Sequence, residues 1–85
     1  MRIAELRAQA NWMLSIVSDD ARIGSLDVGP YLGYEAFATL RNQGEFAKLV
    51  NGGYFIEWDC GADLSADTIE AHWHVIGKKD LPVGA

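Results

Sequence analysis

Turn-forming residues recur so closely along this chain that every regular element between them must be short. Asp19-Asp20, Gly29-Pro30, Asn42-Gln43-Gly44, Asn51-Gly52-Gly53 and Gly77 punctuate its 85 residues. Proline cannot donate to a strand ladder and restricts the residue before it, while glycine takes positive φ without steric cost. Short elements depend on one another. A chain of this length buries only about 60–65% of the surface that its unfolded form exposes, so one core between packed layers is the most it can build. A single domain over residues 1–77 with a tail at 78–85 is expected. The one cysteine, Cys60, leaves no internal disulfide, and no Cys/His spacing suits zinc, so packing alone has to hold the fold. The longest apolar run is a few residues, against roughly 20 for a spanning helix, and the N-terminal residues lack a signal-peptide pattern. The expectation is a cytoplasmic protein without membrane association.

Residues 1–14 carry two competing signals. Ile3, Leu6, Ala10 and Met13 recur near helical spacing in a segment of good helix formers. Against this, Trp12, Leu14 and Ile16 alternate with Met13, Ser15 and Val17 and run into the hairpin-compatible Asp19-Asp20. The reading adopted is three strands in the first third, the last of them within residues 21–28. After Gly29-Pro30 a short helical turn beginning near Tyr34 or Glu35 holds Phe37 and Leu40, and a second short helix carries Phe46, Leu49 and Val50 up to Asn51-Gly52-Gly53. Residues 54–58 form a strand with Tyr54, Ile56 and Trp58 on one face and Phe55 and Glu57 on the other. Ser65 is the N-cap of a last helix, with Asp67 in its first turn and Ile69, Trp73 and Ile76 as its apolar stripe before Gly77. Trp12, Trp58 and Trp73 are read as core. Together these elements give an α+β fold, a small antiparallel β-sheet with two or three short helices packed on one face.

The formal net charge is −5, and its location is informative. Residues 1–22 balance three bases against three acids, whereas Glu45, Glu57, Asp59, Asp63, Asp67 and Glu70 face Lys48 alone. A nucleic-acid binder needs Lys and Arg to neutralise phosphates, so direct nucleic-acid binding is excluded. An acidic cluster steers encounter with a basic partner surface, or serves as a solvated face. Phe55, Tyr31 and Tyr34 fall outside the core stripes, and aromatic residues beside acids are typical of protein interfaces. Glu57, Asp59, Asp63, Asp67, Phe55, Tyr31 and Tyr34 are therefore the candidate partner-binding residues. The competing readings are that Tyr31 and Tyr34 cover a sheet edge and that Asp63 satisfies backbone N–H groups before the last helix.

Catalytic and cofactor chemistry finds little support. His72 and His74 are two apart, which on a helix splits them by about 200° and prevents chelation of one metal. Asp59, Asp63 and Asp67 lack the glycine-containing loop of a calcium hand. Asp59 and Asp63 beside Cys60 disfavour a thiolate nucleophile. Reviving an enzyme reading would require a deep pocket holding Glu57, Asp59 and Cys60. No cofactor, no metal and no catalytic activity are expected.

The run Leu26-Asp27-Val28, Pro30-Tyr31-Leu32, Phe37, Leu40-Arg41, Phe46, Ile56, Trp58, Gly61-Ala62-Asp63-Leu64, Asp67 and Ile69 resembles the small bacterial domain-of-unknown-function 2442 family over residues 2–73. The Trp-x-x-Gly-Ala-Asp-Leu stretch is its most specific part. Where members usually have proline and a polar residue after that Trp, this chain has Asp59-Cys60. The resemblance implies an α+β fold with N-terminal strands followed by short helices and a further strand, which supports strand over residues 2–8. It implies no catalytic residues, and a regulator, adaptor or antitoxin-like partner of a small protein. The expected function is thus non-enzymatic binding and regulation of a protein partner with a basic surface. The alternative is a phage-encoded anti-CRISPR-type inhibitor, whose acidic surface blocks a basic nucleic-acid-binding groove.

Overall fold

A computed structural model of the chain describes residues 1–78. Its elements are β1 Ile3–Gln9, β2 Met13–Ser18, β3 Arg22–Asp27, α1 Gln43–Phe46, β4 Leu49–Asn51, β5 Phe55–Trp58, β6 Asp63–Ser65, α2 Ala66–His72 and β7 His74–Lys78. Single 3₁₀ turns at Ala10–Trp12 and Gly29–Tyr31 and a 3₁₀ helix at Glu35–Arg41 complete it. The fold is α+β. Two antiparallel sheets are present, one ordered β1-β2-β3-β7 and one ordered β4-β5-β6. Two hydrogen bonds join them edge to edge: the Ile3 N–H donates to the Gly53 carbonyl (2.6 Å), and the Asn51 side-chain amide donates to the Ile3 carbonyl (3.1 Å).

Alternation decides which faces are buried. Leu14, Ile16 and Ser18 of β2 point inward with Leu26 of β3, and Ile56 and Trp58 of β5 point inward with Leu64 of β6. Phe37 and Leu40 of the 3₁₀ helix and Phe46 of α1 fill the space between, with Ile69 of α2 completing the core. Trp58 is its centre. Its ring stacks on Phe46 (centroids 5.9 Å, 28°) and meets Phe37 edge-on (6.1 Å, 79°), and its indole N–H donates to the Phe46 carbonyl (2.9 Å). A buried indole needs such a partner, which a short helix with free terminal carbonyls supplies.

Several expectations are corrected. Trp12 does not lie on a strand: it closes the β1–β2 hairpin at φ 58, half-buried, with its indole N–H donating to the Leu40 carbonyl (2.6 Å). The second helix is only α1, capped by the Asn42 side chain, which accepts from the Gly44 and Glu45 N–H groups. Leu49 and Val50 belong instead to β4, because Asn51-Gly52-Gly53 makes a hairpin into β5 rather than a helix stop. Tyr54 sits in that hairpin, 68% exposed, off the core face. The last helix is shorter than its apolar spacing predicts. Ser65 does cap it, accepting from the Thr68 N–H (3.1 Å), but α2 ends at His72, and residues 74–78 turn back as β7 alongside β3. Ile76 is consequently exposed, and Gly77 and Lys78 lie in a strand. The predicted tail beyond Lys78 lies outside the described residues.

Candidate functional site

Apart from Asp67, the candidate residues fall on two surfaces. The first is the outer face of the β4-β5-β6 sheet. Strand alternation turns Phe55 and Glu57 outward from β5 while Ile56 and Trp58 fill the core. Register then places Val50 of β4 and Asp63 of β6 on either side of Glu57. Phe55 remains 44% exposed and Val50 65% exposed. The Phe55 ring lies against Gly52, where a Cβ would collide with it, so the hairpin glycine gives the ring its seat. Asp59, just past β5, donates its backbone N–H to the Lys48 carbonyl (2.9 Å) and lines an open groove with Lys48, Val50 and Glu57. Cys60 is exposed and does not line that groove.

Ion pairing sorts the six acids of the 45–70 segment. Glu45 holds Lys48 (2.9 Å), whose ammonium is favoured first by that hydrogen bond and only weakly by the more distant Asp59. Glu70 accepts from the Arg22 guanidinium (2.8 Å) and from the Met1 amino group (3.1 Å), and both lower its pKa, Arg22 most. Glu57, Asp59, Asp63 and Asp67 form no ion pair among the described residues. The four are exposed. Asp63 caps nothing there, so the structural role considered for it passes to Ser65. Asp67 stands apart from the sheet face, in the first turn of α2.

The second surface is a groove where the end of β3, the Gly29–Tyr31 turn and the end of α2 meet. Leu26, Asp27, Pro30, Tyr31, Tyr34 and His72 line it. Tyr31 is half-buried, its ring tilted on Phe37 (centroids 5.7 Å), and Tyr34 is 65% exposed. Sequence spacing singled out both tyrosines but not Asp27 or His72. The Asp27-x-Gly29 spacing was the available signal, since Asp27 Oδ1 accepts the Gly29 N–H (2.8 Å) and so holds the carboxylate at the groove wall.

A charge network ties the first sheet to α2 elsewhere. Arg22 reaches Asp20 (2.9 Å) as well as Glu70, and its guanidinium lies 5.5 Å from the Trp73 ring centroid. The Ser18 hydroxyl also donates to Asp20, and with Arg22 holds its pKa down at about 2. Among the described residues there is no group of three or more His, Cys, Asp or Glu side chains placed to hold a metal ion, and no helix is long and apolar enough to cross a membrane.

No curated protein and no solved structure matches the chain. The family model described as protein of unknown function (DUF2442) does match, over residues 3–75, and the chain belongs to that family.

Proposed function

We propose that this protein works without catalysis, binding and regulating a protein partner through the outer face of the β4-β5-β6 sheet. One observation carries the reading: Glu57 and Asp63 stand directly opposite each other across β5 and β6, and neither has a cationic partner among the described residues, beside exposed Phe55 and Val50. Like charges at opposed strand positions cost stability and gain nothing inside the molecule. A basic partner surface turns that cost into attraction, while Phe55 and Val50 supply apolar area to bury. A small toxin-like protein and the basic groove of a nucleic-acid-binding complex are the two partner classes that fit.

The test is recovery of the tagged protein with its partner from host cells, followed by affinity measurement for the double variant Glu57→Gln/Asp63→Asn. Loss of at least about tenfold in affinity, together with an unchanged or slightly raised melting temperature, is expected. Rising salt should weaken the wild-type complex, because exposed charges are screened over roughly 10 Å at about 0.1 M ionic strength. A complex indifferent to both the substitutions and salt removes this face from the function. The partner's identity then separates an antitoxin-like role from inhibition of a nucleic-acid-binding complex.

A further inference from the structure

The Tyr31–Tyr34 groove is not used by that reading, although it shares its premise of a basic partner. We propose that this groove is a second binding site and that its occupant is a protruding arginine side chain of the partner. The lining is mostly aromatic and apolar, from Tyr31, Tyr34, Pro30 and Leu26, with one carboxylate at the wall. Asp27 Oδ1 is engaged by the Gly29 N–H, whereas Oδ2 has no partner among the described residues, and Asp27 forms no ion pair. The hydroxyls of Tyr31 and Tyr34 make no hydrogen bond among those residues either. An aromatic-lined cleft with a single uncompensated carboxylate is complementary to a cation that has a flat, weakly hydrated face. Guanidinium has both properties, stacking on a ring while its N–H fork pairs with a carboxylate, whereas ammonium is compact and strongly hydrated. Tyr34 keeps most of its surface in water while contributing little to the core, which suits a ring that waits for a partner.

The test is an NMR titration of the full chain at pH 8 with a capped glycine-serine peptide carrying one central arginine, compared with the same peptide carrying citrulline. Citrulline keeps the shape and removes the charge. Saturable shifts centred on Asp27, Tyr31, Tyr34 and His72 are expected for the arginine peptide alone. Asp27→Asn keeps the Oδ1 acceptor for Gly29 and removes the charge, and Tyr34→Ala removes a ring outside the core. Each should weaken the arginine peptide about tenfold without changing the melt. Equal response to the citrulline peptide overturns the proposal, and so does binding centred on Glu57 and Asp63. The second result leaves the sheet-face reading standing. A partner complex that survives Glu57→Gln/Asp63→Asn but is lost with Asp27→Asn removes the sheet-face reading and supports the groove.

Discussion

Among the described residues, three without a glycine's freedom sit at positive φ: Asn11 (60°), Trp12 (58°) and Ala21 (68°). Asparagine tolerates that region through local hydrogen bonding, and Trp12 is held there by its indole bond to Leu40 and by the Val28 N–H donating to its carbonyl (2.9 Å). Ala21 has no side-chain anchor. It follows a turn closed by its own N–H donating to the Ser18 carbonyl (2.9 Å), the position a hairpin usually gives to glycine. Its Cβ costs about 1–2 kcal/mol in that conformation, against about 0.4–1 kcal/mol of extra unfolded-state freedom that glycine brings. Ala21→Gly should therefore stabilise the protein by about 0.5–1 kcal/mol, read as a higher urea midpoint with an unchanged slope. A lower midpoint would show that the turn tolerates Ala21 without strain.

At the scale of elements, the junction of α2 with β7 is decided by contacts with β3. Helix spacing alone would carry Ile69, Trp73 and Ile76 along one stripe. The chain leaves the helix at Trp73 because its ring packs over Gly24 of β3, where a Cβ would lie 2.5 Å from the ring and 2.8 Å from the His74 carbonyl oxygen. Arg22, two residues earlier on β3, lies against the same ring. Glycine at position 24, having no Cβ, lets the strand, the ring and the returning backbone share this space. Gly24→Ala should cost about 1–3 kcal/mol through overpacking. Amide exchange should rise first in residues 74–78, since β7 and not the β1-β2 hairpin loses its seat. Uniform acceleration across all strands would place the damage in the core instead.

For the whole molecule, acid should lower stability through the Arg22 network. Asp20 is lowered to about 2 by the Ser18 hydroxyl and then by Arg22, and Glu70 is lowered by Arg22 and then by the Met1 amino group. Both carboxyls hold their protons more tightly in the unfolded chain. Their contribution is complete above the ordinary carboxyl range near pH 4 and is lost as pH falls from there towards about 2. The melting temperature should therefore drop across that window. Arg22→Gln, which removes the partner common to Asp20 and Glu70, should flatten the drop as well as lower the starting value. An undiminished slope in that variant would assign acid sensitivity to other carboxyls.

Much of this molecule was legible in the order of its residues: the alternation of β2, the outward Phe55 and Glu57 against inward Ile56 and Trp58, and the Ser65 cap. These are properties of period and of local hydrogen bonding, which a chain carries before it folds. Strand in residues 2–8 rested instead on the family resemblance, against a helical spacing. The candidate acids were legible as a group but not as individuals. The Glu45–Lys48 pair is local, three residues apart, but only tertiary structure separated Glu70 from Glu57, Asp59, Asp63 and Asp67, because its partners Arg22 and Met1 are distant in sequence. The same holds for strands. Val50 in β4 and Asp63 in β6 lie in strands of three residues, too short to show a period, and Ile76 in β7 falls at helical spacing from Ile69 and Trp73, which masks its strand. Their conformation was decided by neighbours elsewhere in the chain that complete the ladder or, like Trp73 on Gly24, occupy the space a longer helix would have needed.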